Sequence, residues 1–146
     1  MTDQSNNGTP AAGETDLGLL MAKMSPRLDA RTFVFVTIER EQLVAHIDQA
    51  LMVFRESEGV TLILEEKYAR SAGLDAVFPC RQITLAVHSA LEAVGFLAAI
   101  IPILAKQGMG VNPVSGYFHD HLFVPAEKAE QALTILQNLS VNANDA

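Results

Sequence analysis

The stretch that decides the fold begins with Ile83-Thr84-Leu85-Ala86-Val87-His88 and continues through Ser89 to Gly108. It then reads Gly110-Val111-Asn112-Pro113-Val114-Ser115-Gly116-Tyr117 and Phe118-His119-Asp120-His121-Leu122-Phe123-Val124-Pro125. Ile83, Leu85 and Val87 alternate with Thr84, Ala86 and His88, which is the period of a strand. Leu97, Ile100, Ile101 and Leu104 recur at helical spacing, and Gly108 is the stop. Residues 110–117 and 118–125 read as two strands about a tight turn. Residues 126–139 add a second helix with Ala129, Ala132, Leu133, Leu136 and Leu139 on one stripe. The order βαββα is most of a ferredoxin-like unit. Residues 140–146 are polar and show no final strand.

Two features of the central helix stay open in the sequence. Ser89 with Glu92 three residues on is a capping box that would start the helix early; alternatively Ser89 to Ala93 is a loop and the first turn starts near Val94. Pro102 removes one helical hydrogen bond and crowds the Ala98 carbonyl, so a kink is expected there.

Moving outward, residues 1–14 read as a disordered tail. A short helix follows, capped by Thr15 or Asp16, with Leu17, Leu20, Met21 and Met24 on one face and Ser25-Pro26 as its end. Arg31 to Ile38 is a strand apolar on both faces, as in strands covered on both sides. Glu39 to Gln49 fits either a helical turn or a loop. Ala50–Arg55 and Val60–Leu64 bracket Glu56-Ser57-Glu58-Gly59 as a hairpin. Glu65 to Ser71 is a short helix closed by Gly73, and Val77 to Arg81 reads as a linker. The resulting division is 1–14 tail, 15–78 a first, incomplete module, and 79–146 a second. The class is α+β, with antiparallel sheets and helices on one face.

Composition narrows the function. Net charge is −7 with no basic cluster, which argues against nucleic acid because phosphate contacts need a cationic face. One cysteine, Cys80, rules out an internal disulfide. The apolar run Val94–Ala105 is too short to span a bilayer and contains Pro102. The polar N-terminus lacks the basic start of a secretory signal. The expectation is a cytoplasmic protein with no membrane partner.

Few residues invite chemistry. His119 and His121 would share a strand face, as a metal site wants, but no third ligand lies nearby in sequence; the plainer role is hydrogen bonding, with Asp120 capping the turn. Cys80 lacks an activating motif, and Ser115 lacks nucleophile-elbow glycines. No catalytic residue, metal or cofactor is expected. Gly95 has two readings. It either permits close helix–strand packing, or it stands at the helix start, where free N–H groups meet a ligand carboxylate. Asn112 and Ser115 on the following strand offer side-chain hydrogen bonds, or simply cap a strand edge or turn.

Three motifs together carry a resemblance: Phe54 to Leu64, Ile83 to Ile100, and Val111 to Ser115 with His119 to Pro125. They resemble tandem ACT-domain proteins, and the second module is similar to those of aspartate kinases and of arginine sensors. The resemblance implies two ferredoxin-like modules, no catalysis, and regulatory binding of an amino acid between modules. It places a ligand at the loop His88–Gly95, through Ser89, Ala93, Val94 and Gly95, with Asn112 and Ser115 from the strand. The alternative is a structural or oligomerisation module without a ligand. A metal-assisted enzyme built on His119 and His121 is the third reading. Convergence of Gly95, Asn112 and Ser115 on one cleft separates the first two. The doubly apolar strands predict a homodimer or a dimer of dimers, with Phe33 or Phe35 at or near the contact.

Overall fold

The computed structural model describes residues 11–146. Of the expected tail, residues 1–10 lie outside the described residues. Glu14, by contrast, is held: its N–H donates to the His88 carbonyl at 2.7 Å, and its carbonyl accepts from Ala90 N–H at 3.0 Å. Helix α1 (Leu17–Lys23) starts at Asp16, whose carboxylate accepts from Leu19 N–H at 2.8 Å. Then follow β1 (Pro26–Leu28), β2 (Phe33–Ile38), a helical segment centred on α2 (Leu43–His46), β3 (Ala50–Arg55), β4 (Val60–Glu65) and α3 (Glu66–Ser71). The remainder comprises β5 (Ala76–Leu85), α4 (Phe96–Ala105), β6 (Asn112–Ser115), β7 (Asp120–Pro125) and α5 (Ala129–Asn144).

All strands join one seven-stranded antiparallel sheet, ordered β3-β4-β2-β5-β7-β6, with β1 also beside β5. The expected linker Val77–Arg81 is instead the first half of β5, because its amides pair with β2. A bulge allows this: Phe33 faces Cys80 while Phe35 faces Val77, and Phe78 takes up the extra residue with φ of 56°. The division at 78/79 therefore falls inside a strand, and α1 and β1 pack on the second half. Segment 39–49, open in the sequence, is helical throughout most of its length. Helix α4 begins at Phe96, so the capping box at Ser89 does not form; the helix runs unbroken through Pro102, whose ring faces solvent. The polar residues 140–144 continue α5, and their side chains close the end of α1. Ser140 Oγ donates to the Met24 carbonyl at 2.8 Å, and Asn144 Nδ2 to the Ala22 carbonyl at 2.8 Å.

One face of the sheet carries the helices. Ile83, Leu85, Leu122 and Val124 pack there against α1, α4 and α5, and Val34, Val36, Leu62 and Leu64 against α2 and α3. Among the described residues the other face has no helix, and it curls on itself. Laid flat, its edge strands would stand about 24 Å apart, yet Leu51 and Met52 of β3 line the same pocket as Val114 of β6. Phe33, Ile63, Cys80 and Phe123 are thereby buried within one chain. Phe123 meets Phe33 edge-to-face at 6.3 Å and Phe35 at 6.0 Å. Phe33, only 2% exposed, is covered within the chain, whereas Phe35, the other residue expected at or near a contact between copies, is half-buried. Truncating the centre of this cluster, Phe123→Ala, should cost about 3–5 kcal/mol of unfolding free energy in a urea titration.

Candidate functional site

The loop between β5 and α4 is fastened from outside by residues 13 and 14. Glu14 forms a parallel bridge with Ser89, and a Cβ on Gly13 would come within 2.5 Å of the Ala90 nitrogen, so only glycine fits this approach. The loop ends at Gly95, the residue before α4, with φ of 90°. A Cβ there would meet only Leu17 Cδ2, at 3.7 Å. Of the two readings of Gly95, close packing therefore fails; glycine is needed for the left-handed turn into the helix. The N–H groups of Phe96, Leu97 and Ala98 have no intrahelical acceptor, and among the described residues no side chain caps α4.

The same three residues line a pocket of about 180 Å³ together with Ser89, Ala93, Gly95 and Ser115, among others. Its far wall is Asp120, 8% exposed, with Ser115 Oγ donating to Asp120 Oδ1 at 2.6 Å. Ser89, Ala93, Gly95 and Ser115 thus come together, whereas Val94 is 84% exposed and does not line the pocket. Asn112 lies on the opposite face. It pairs with Phe123, whereas Ser115 pairs with Asp120; three residues apart on a strand, the two side chains cannot share a face. Asp120 is the charged pocket residue that sequence reasoning missed, beside Gly116 and the first turn of α4. The signal was parity, since Asp120 alternates in step with Leu122 and Val124, an otherwise apolar and buried set.

In the first half, the corresponding turn is closed by its own side chains. Gln42 Oε1 accepts from Glu39 N–H at 3.0 Å, and Arg40 reaches the Glu56 carbonyl at 3.4 Å.

The remaining candidates for chemistry are occupied otherwise. His119 Nδ1 bonds the Val87 carbonyl at 3.1 Å, while His121 Nδ1 meets Gln82 Nε2 at 2.9 Å and Thr84 Oγ1 at 3.0 Å. Among the described residues no group of three His, Cys, Asp or Glu side chains is placed to hold a metal. Burial pushes the Cys80 thiol up to about 12, far from a thiolate nucleophile at neutral pH. No helix among the described residues is long and apolar enough to cross a membrane.

The topology is that of two ferredoxin-like units on one sheet, with a pocket at the strand-to-helix loop of the second. Family models described as ACT domain match residues 12–81 and 77–138. A protein of unknown function from Vibrio cholerae, described as a possible transport protein, is 44% identical with a TM-score of 0.77, over 85% of this chain and 95% of its own. A protein from Agrobacterium tumefaciens is 17% identical with a TM-score of 0.67, over 80% of this chain and 89% of its own. The ligand-free regulatory subunit of aspartate kinase from Thermus thermophilus is 14% identical with a TM-score of 0.59, over 82% and 97%. No curated protein matches the sequence. The chain belongs to the ACT-domain family, as a tandem pair of ACT modules.

Burial, and secondarily His119, holds His121 below the usual imidazole range. The folded protein therefore keeps it neutral while the unfolded chain takes up a proton below about 6.5. Stability from this group is complete above that value and lost as pH falls through it toward the depressed folded value. Urea titrations between about pH 8 and 5 should show this acid loss, and His121→Gln should reduce it.

Proposed function

We propose that the protein is a non-enzymatic, cytoplasmic regulatory module that binds a free amino acid in the pocket at the start of α4. The observation that carries this reading is the pairing of opposite electrostatics across one small space. Uncapped amides at the positive end of α4 suit a carboxylate. The buried Asp120 carboxylate, with acceptor sites left beyond the Ser115 bond, suits an ammonium group. The volume is below the roughly 300–1,000 Å³ of drug-sized sites, in keeping with a small amino acid. The exposed apolar residues Leu91, Val94, Tyr117 and Phe118 flank this end of the molecule, and we assign the homodimer contact to them rather than to Phe33 or Phe35.

A thermal-shift panel of the twenty amino acids tests the reading. The ligand at 100 times its Kd should add about 2.7 kcal/mol of stability. Asp120→Asn keeps the shape of the pocket and removes the charge, so it should abolish most of that gain. A panel with no stabilising amino acid, or an undiminished shift in the variant, would overturn the assignment.

A further inference from the structure

The helix-free face holds a second cavity, of about 250 Å³, lined by Leu51, Met52, Gln82, Val114, His121 and Phe123 together with Gly116. It exists only because the sheet curls, since its walls come from β3 at one edge of the sheet and β6 at the other. Its polar groups are arranged around one ring. Gln82 Nε2 carries only hydrogens to give, and it faces His121 Nδ1 at 2.9 Å. Nδ1 is therefore the acceptor, with Thr84 Oγ1 at 3.0 Å as its further partner. The ring proton then resides on Nε2, which lies 3.4 Å from where a Cβ on Gly116, another residue of the cavity wall, would stand. A neutral donor is thus fixed in position among aliphatic and aromatic walls, and none of the residues lining the cavity carries a carboxylate or a permanent cation.

We propose that this cavity is a second small-molecule site, which takes an uncharged apolar compound through one carbonyl oxygen accepting from His121 Nε2–H. An apolar pocket with few convergent polar groups is the usual form of such sites. Free amino acids are excluded by the same walls, since burying their charged ends here leaves them without a counter-charge. The two pockets therefore select by opposite chemistry: zwitterion at α4, neutral carbonyl at His121. A compound seated here touches both edges of the sheet, so its binding also reports on the curl that joins the two modules.

The test uses the full chain and methyl-resolved NMR, with isovaleramide, isovalerate and leucine as separate probes. Isovaleramide should shift the methyls of Met52 and Val114 saturably, whereas leucine should leave them unmoved. Val114→Phe should remove the response by filling the cavity. His121→Phe should weaken it about tenfold, the effect of one net hydrogen bond. In the wild-type protein, the His121 ring nitrogens should show the Nε2–H tautomer and shift on titration, a readout that does not depend on the variant folding. No saturation by about 10 mM, tighter binding of isovalerate than of isovaleramide, an Nδ1–H tautomer, or shifts confined to Ala93 and Leu97 of the first pocket would each overturn the proposal.

Discussion

Because β5 pairs with β2 over its first residues and with both β7 and β1 over its last, one ten-residue strand holds both modules in a single sheet. The sheet order and the placement of the helices on one face follow from that sharing. The bulge at Phe78 is the local cost: a bulky residue at φ of 56° stores roughly 1–2 kcal/mol of backbone strain. The bulge is offset by what it re-aims. It lets Val77 and Cys80 stand opposite Phe35 and Phe33, so the second half of the strand presents Ile83 and Leu85 to the helices. Without it the alternation would be out of step in one half or the other.

The curl follows from the same arrangement. Helices cover one face, and the other holds Phe33, Phe35, Ile63 and Phe123, too much apolar surface to leave in water. Bringing the edges toward each other buries it without a partner. The aromatic contacts are edge-to-face at about 6 Å, a geometry favoured by the ring quadrupoles over direct stacking. Closure is incomplete near β3 and β6, and the remaining gap is the cavity beside His121.

The pocket at α4 depends on a different constraint, the fastening of its loop by residues that precede the first module. Glu14 bridges Ser89, α1 packs on α5, and Ser140 and Asn144 satisfy the last carbonyls of α1. The segment before β2 thus serves the second module. In the first module, Gln42 closes the equivalent turn, so within this chain the two loops have diverged: one is sealed by its own side chain, and the other is left with free amides and a buried carboxylate opposite.

Periodicity and turn chemistry determined most of the elements: the alternation of Ile83, Leu85 and Val87, the helical recurrence of Ile100 and Leu104, and the glycine between Arg55 and Val60 each act over a few residues. Local spacing also gave Gly95 its two roles, but only the φ of 90° and the open space beside it remove close packing as the reason for a glycine there. Strand parity, legible in the sequence, separates Asn112 from Ser115 and places Asp120 with Leu122. Three things came from the tertiary structure alone. Val77 to Arg81 became a strand because β2 lay alongside to pair with it, residues 13 and 14 were ordered by a loop some seventy-five residues away, and Phe33 was covered by Phe123 rather than by a second chain. Such contacts depend on partners distant in sequence, and the energy of burying a face does not reveal, from one strand, which surface will cover it.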